Sequence, residues 1–237
     1  MDKLLVALDV ESGDRAMHLV DAVRGLAGGF KIGNRLFTSE GPALVRRIAD
    51  AGSRVFLDLK YHDIPNTVEQ AVEAAVGTGA WMINVHASGG IAMMQAAARA
   101  ARDTSTRLGC PAPLMIGVTV LTSMDHEALR AIGVERPVLD QVIALARLTQ
   151  QAGMQGVVAS AQETAAIREA CGREFQIVTP GIRGAAAGAE RNDQSRTMGP
   201  AEAIRAGASY IVVGRPIIAA PDPRAAAAAI VEELAHA

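Results

Sequence analysis

Apolar residues fall along the chain in short, nearly unbroken runs rather than in strict alternation, and each run ends on glycine or a polar group. Eight such runs stand out: Leu4–Asp9, Gly29–Gly33, Arg54–Lys60, Met82–His86, Leu114–Leu121, Gly156–Ser160, Phe175–Thr179 and Ser209–Gly214. Runs continuous in Val, Ile, Leu and Met belong to strands covered on both faces, as in a parallel sheet flanked by helices. Between them lie Ala-rich segments with helical spacing. Ser12-Gly13-Asp14 opens the first, Pro65-Asn66-Thr67 the third, and Pro223 the last, which runs to Ala237. Gly52, Gly79, Gly153 and Gly207 each follow such a segment, where a helix C-cap favours glycine. The Ala225–Ala229 run reads as helix, because Ile230, Val231 and Leu234 supply its apolar stripe.

Eight strands alternating with eight helices in 237 residues predict an α/β protein, a single (β/α)₈ TIM barrel domain spanning residues 1–237. Alternation does not by itself show closure, so a doubly wound open sheet remains the competing architecture. No linker or shift in composition divides the chain. With 50% hydrophobic and 20% charged residues it is neither disordered nor fibrous. Aromatics make up 3% and the net charge is −2, which excludes a nucleic-acid binder working through a basic face and stacked bases. Apolar stretches break well before the ~18–20 residues of a membrane span, so a soluble protein with no membrane partner is expected. Leu4–Leu8 is too short for a signal-peptide core, and Cys110 and Cys171 form no CxxC or disulfide framework. Both features fit a reducing cytoplasm.

In a barrel of this kind the chemistry lies at the carboxyl ends of the strands. Asp9 closes the first run, Lys31 sits inside the second, Asp58 and Lys60 close the third, His86 the fourth, Thr119 and Thr122 the fifth, and Arg215 follows the eighth. A charge inside an apolar strand is costly unless paired, so Lys31 demands a nearby carboxylate. The densest signal is Asp58-Leu59-Lys60-Tyr61-His62-Asp63. Residues two apart on a strand share a face, which puts Asp58 and Lys60 together toward the barrel mouth, with Asp63 in the following loop. A structural ion-pair network is the plain alternative.

Two glycine turns, Thr179-Pro180-Gly181-Ile182-Arg183-Gly184 and Val213-Gly214-Arg215-Pro216, follow the seventh and eighth strands, where barrels commonly bind phosphate through backbone N–H groups and a cation. From Arg183 to Arg196 the chain is rich in Gly, Ala and polar residues without apolar periodicity. It reads as a lid over a phosphorylated ligand, inside which Gln194 would donate and accept hydrogen bonds. His18, His62, His86, His126 and His236 show no metal-ligand spacing, and neither a nucleophile elbow nor a Walker A loop is present.

These residues coincide with a known family. Leu8-Asp9-Val10, Phe30-Lys31-Ile32-Gly33, the segment Asp58–Thr67, Val118–Ser123, Thr179–Arg183 and Val213–Pro216 closely resemble orotidine 5′-monophosphate decarboxylase, over residues 1 to about 235. The resemblance implies a homodimeric (β/α)₈ barrel that converts orotidine 5′-monophosphate to UMP and CO₂ in pyrimidine biosynthesis, without a metal or organic cofactor. By motif, Lys60 resembles the catalytic lysine, with Lys31, Asp58 and Asp63 around it. Asp63 and Thr67 would reach the partner subunit's site. Asp9 and Lys31 would hold the ribose hydroxyls, Thr122 would lie by the pyrimidine, and Arg183, Gln194, Gly214 and Arg215 would hold the phosphate. One departure is Gly199-Pro200, where bacterial relatives usually show Thr-Pro, and it bears on the local turn alone.

Decarboxylation at C6 leaves a carbanion with no adjacent sink, so a lysine fixed there would stabilise the charge and then protonate it. Two other readings stay open: a Mg²⁺-dependent sugar-phosphate decarboxylase or aldolase of the same barrel superfamily, and a non-catalytic phosphometabolite-binding barrel. Relatives of the first kind typically carry an acidic metal ligand where this chain has Lys31, and a pure binder has no need of a lysine aimed at its ligand.

Overall fold

Eight parallel strands close on themselves in sequence order: β1 (Leu4–Ala7), β2 (Gly29–Gly33), β3 (Val55–Tyr61), β4 (Met82–His86), β5 (Leu114–Val118), β6 (Gly156–Val158), β7 (Gln176–Thr179) and β8 (Tyr210–Val213). The β8 to β1 pairing, Leu5 opposite Val212, completes the ring and removes the open-sheet alternative. This computed structural model describes residues 2–182 and 198–237. Several strands stop short of the polar residues that end their apolar runs. Asp9, Thr119, Ser160 and Gly214 all lie just past the last paired residue, in loops at the barrel mouth.

The helices start where local chemistry directs. Ser12 caps α1 (Gly13–Ala22), its hydroxyl accepting from Arg15 N at 3.3 Å. Pro65 opens α3 (Pro65–Val76), and Asp222 caps the last helix, Pro223–Ala235, by accepting from Ala225 N at 2.9 Å. Helix α2 (Asn34–Asp50) breaks at Gly41, whose φ of 66° and extended ψ precede Pro42. Helices α4 (Gly90–Leu108) and α7 (Thr164–Cys171) each follow a single 3₁₀ turn. The described residues hold ten α-helices rather than eight. Both α5 (His126–Ala131) and α6 (Val138–Gln151) link β5 to β6, and a one-turn helix α9 (Arg215–Ile218) precedes α10 (Pro223–Ala235).

Helix α8 (Pro200–Arg205) follows the unusual Gly199. A glycine offers no capping side chain, and Glu233 of α10 takes over that role, its Oε1 accepting from Ala201 N at 3.4 Å.

Two apolar layers support the mouth. Inside the barrel Leu5, Ala7, Phe56, Met82, Ile116, Val178 and Val212 form a buried plug. A larger layer between strands and helices carries most of the remaining core. The amino end is stoppered by Trp81 packed edge-on against Tyr210, centroids 5.3 Å apart, with the Arg54 guanidinium 5.2 Å over the indole. No helix among the described residues is long and apolar enough to cross a membrane.

Candidate active site

The carboxyl end of the barrel is built on β1, β2, β3 and β4. In β2, Phe30 and Ile32 pack outward into the helix layer, which turns Lys31 inward. Its Nζ lies 3.1 Å from Asp9 Oδ1 and 3.5 Å from Asp58 Oδ2, the carboxylates its burial demands. Lys60 Nζ donates to Asp58 Oδ1 at 2.6 Å. A continuous chain of alternating charge thus runs Asp9, Lys31, Asp58, Lys60. Its inner members are well covered, with side-chain exposures of 12% for Lys31 and 13% for Asp58, whereas Asp9 (58%) and Lys60 (29%) face the mouth. Gly33 makes room for the chain, since a Cβ there would sit 3.1 Å from Lys31 Nζ.

Burial is the largest influence on the Asp58 carboxyl and pushes its pKa up. The Lys31 and Lys60 charges, with hydrogen bonds from Lys60 and Asn84, more than offset it, so Asp58 titrates below its ordinary 3.8 and is ionised at neutral pH.

Asp58 and Lys60 meet as the sequence predicts, though by a different route. The strand does not alternate regularly here. Leu57 pairs with Ile83 and Tyr61 with Val85, so β3 bulges against β4, and Lys60 has a φ of 53°. The bulge is bridged by Asn84, a fully buried residue of β4. Asn84 Oδ1 accepts from Lys60 N at 2.8 Å, and Nδ2 donates to Asp58 Oδ1 at 2.7 Å. Sequence reasoning did not single out Asn84, yet the signal was the same that marked Lys31: a polar side chain inside the apolar run Met82-Ile83-Asn84-Val85-His86.

His86 ends β4 beside this cluster, its ring centroid 5.5 Å from that of His62. Burial, then the His62 and Lys60 charges, lower its pKa from the usual 6.5 against the opposing pull of Asp58, so it is neutral at pH 7. No group of three His, Cys, Asp or Glu able to hold a metal ion occurs among the described residues.

Other expected site residues are more dispersed. Gly214 lies next to Asp9, since a Cβ on it would be 3.6 Å from Asp9 Oδ2, and Arg215 begins α9 directly after it. Thr122 lies half-buried in the turn after β5, whereas Thr119 is spent on the scaffold, its hydroxyl donating to Val158 O at 3.0 Å. Asp63 is not drawn into the charged chain. Among the described residues it accepts from Ile64 N alone, at 2.7 Å, and both it and Thr67 are exposed. Arg183 and Gln194, with the lid expected from Arg183 to Arg196, lie outside the described residues.

Comparison with known proteins adds an independent line. Residues 2–230 match the family described as Orotidine 5'-phosphate decarboxylase / HUMPS. The chain is 57% identical to an orotidine 5'-phosphate decarboxylase of Moorella thermoacetica, over 98% of this chain and 92% of that one. It is 54% identical to that of Syntrophotalea carbinolica, over 99% and 96% of the two chains. Among solved structures, an orotidine 5'-phosphate decarboxylase from Lactobacillus acidophilus superposes with a TM-score of 0.86 at 34% identity, covering 98% of each chain. A protein from Geobacillus kaustophilus superposes with a TM-score of 0.85 at 38% identity, covering 98% of this chain and 99% of that one. Barrel, charged chain and full-length similarity agree: the chain belongs to the orotidine 5'-phosphate decarboxylase / HUMPS family.

Proposed function

We propose that this barrel decarboxylates orotidine 5′-monophosphate to UMP and CO₂ in pyrimidine biosynthesis. The observation that carries the reading is the Asp9, Lys31, Asp58, Lys60 chain on adjoining strands, with an ammonium at the mouth. It suits a reaction whose difficulty is purely electrostatic.

Cleavage of the bond from C6 to the carboxylate leaves its electron pair on C6 as CO₂ departs. Lys60 supplies a fixed positive charge beside that carbon and then transfers an N–H proton to it, so the same group stabilises the carbanion and consumes it. Solvent reprotonates the amine. Asp58, ionised and hydrogen-bonded to Lys60, holds the ammonium and opposes the substrate carboxylate, favouring its loss. Asp9 and Lys31 bind the ribose hydroxyls, Thr122 lies beside the pyrimidine, and Gly214 and Arg215 take the phosphate together with Arg183 and Gln194. Phosphate binding, remote from C6, supplies the energy that offsets the strained approach of two carboxylates.

The reading needs no metal and no organic cofactor. It includes a homodimer in which Asp63 and Thr67 complete the partner's site. Both are exposed, and the loops and helix starts after β3, β4 and β5 present Ile64, Ile91 and Leu121, which are 66%, 40% and 38% exposed. Three large apolar side chains on neighbouring loops suit burial by a second copy. A reducing cytoplasm suits the free thiols Cys110 and Cys171.

The test is release of CO₂ from orotidine 5′-monophosphate in the presence of EDTA. Turnover unaffected by the chelator is expected. Activity that disappears with EDTA and returns with Mg²⁺ would favour the sugar-phosphate enzymes of the superfamily, and tight phosphate-ester binding without CO₂ would favour a binding barrel.

A further inference from the structure

The strand that carries the ammonium departs from strand geometry at the residue that matters most. Lys60 is the only non-glycine with positive φ among the described residues. Such a conformation costs on the order of 1–3 kcal/mol and persists only where its surroundings hold it. The ladder with β4 is interrupted at the same point: Asp58, Leu59 and Lys60 fall between the pairs Leu57 with Ile83 and Tyr61 with Val85, where β4 offers Asn84 alone. The Lys60 N–H therefore bonds to a side chain, Asn84 Oδ1, at 2.8 Å.

The other end of the same amide is also committed, since Nδ2 donates to Asp58 Oδ1 at 2.7 Å. Its orientation follows from chemistry. Turned over, the amide would set its N–H₂ against the Lys60 N–H and its oxygen against an ionised carboxylate, two repulsions in place of two bonds. No other side chain of this size accepts at one end and donates at the other. Asp lacks the donor when ionised, and Ala, Ser and Thr cannot span both groups. Asn84 is fully buried, two residues beyond Met82 on β4 and paired with Ile116 of β5, both members of the apolar plug, a place where an unsatisfied amide would be strongly unfavourable.

We propose that Asn84 is a positioning residue for the decarboxylation: one amide locks the Lys60 backbone in its left-handed conformation and the Asp58 carboxylate in register with it, which sets the distance from Lys60 Nζ to the reacting carbon. It acts on catalysis and touches no substrate. The inference rests on the reading of Lys60 as the proton donor.

The experiment compares Asn84→Ala, Asn84→Asp and Lys60→Ala with the parent, using kcat and KM for orotidine 5′-monophosphate, Kd for UMP, and thermal melting. Loss of positioning is expected to lower kcat of Asn84→Ala about 100-fold while Kd for UMP stays within about threefold, because the phosphate and ribose contacts are untouched. Asn84→Asp keeps the shape and the acceptor but sets a second carboxylate against Asp58. The titratable groups around it are Asp58, Lys60, Lys31 and His86. Protonation of the new carboxyl restores a donor, so the ratio of its kcat to the parent's is expected to rise as the pH is lowered. If Asn84→Ala does not fold, the isosteric Asn84→Asp decides by the same criteria. A folded variant with kcat within threefold of the parent overturns the inference, as does a loss of kcat matched by an equal loss of UMP affinity. A fully active Lys60→Ala would instead overturn the assignment of Lys60, so the two failures are distinct.

Discussion

Both ends of the barrel hold cations, and they hold them in opposite ways. At the amino end Arg168 of α7 donates to the carbonyls of Gly172, Arg173, Phe175 and Gly207 and to Ser209 Oγ, at 2.6 to 3.3 Å. Its planar fork ties the start of β7 to the start of β8 and is committed to neutral groups, four carbonyls and one hydroxyl. At the carboxyl end Lys31 and Lys60 are met by carboxylates, and among the described residues Lys60 Nζ hydrogen-bonds to Asp58 alone. An ammonium carries three rotatable donors on a flexible stem. One is used here, which leaves capacity for a ligand. The guanidinium thus serves as a fixed joint, whereas the lysine keeps donors to spare, and the strands that connect them hold the two cations apart.

Substitutions at each end should therefore separate chemistry from stability. Lys60→Ala is expected to lower kcat by about 10⁴-fold or more, since on the proposed reading it removes both charge stabilisation and proton donation, while UMP still binds; kcat within tenfold of the parent would break the contrast. Asp58→Asn should cost roughly 10²–10³-fold in kcat, checked by steady-state turnover at pH 7. Arg215→Ala, which on the proposed reading removes a phosphate contact remote from C6, is expected to reduce kcat/KM by about 10- to 100-fold, and an unchanged value would show that phosphate binding is uncoupled from chemistry.

Arg168→Ala inverts the pattern. Several backbone carbonyls lose their donor, a loss on the order of 2 kcal/mol or more, seen as a fall in Tm of roughly 4–8 °C with kcat within about twofold of the parent. A dead but stable Arg168→Ala enzyme would contradict the division of labour. The smallest effect concerns acid. Because the folded Asp58 carboxyl titrates below its unfolded value, its ionised form adds stability above about pH 4 that is lost as pH falls through the folded pKa. The stability gap between parent and Asp58→Asn, followed by circular dichroism, should narrow below that pH, and a gap that does not change with pH would contradict the lowered pKa.

The strands were legible because burial on both faces leaves an unbroken apolar run, a signal that depends on a few adjacent residues. The same signal overshoots at the mouth. Leu8, Val120 and Leu121 continue the hydrophobicity of β1 and β5 beyond the last paired residues of those strands. Short helices such as α5 and α9 escaped notice since four to six residues do not complete two turns of period. In the site, Lys31, Asp58 and Lys60 were readable as charges in apolar surroundings. The bulge was not, because Asp58 and Lys60 occupy positions that a regular strand would also place on one face. Asn84 carried a readable mark, but its meaning lies in a bond to a backbone N–H on the neighbouring strand. The roles proposed for Asp63 and Thr67 need a second copy of the chain, and contacts between two copies are not encoded in the periodicity of one.

The stopper at the amino end has a practical corollary. Trp81 is the single tryptophan of the chain, and it sits against Tyr210 and Arg54, at the opposite end of the strands from Lys60. Indole emission is therefore a built-in reporter on the foot of the barrel. It will follow unfolding of the scaffold faithfully and stay nearly silent when a nucleotide enters the mouth, so ligand titrations need a probe of their own.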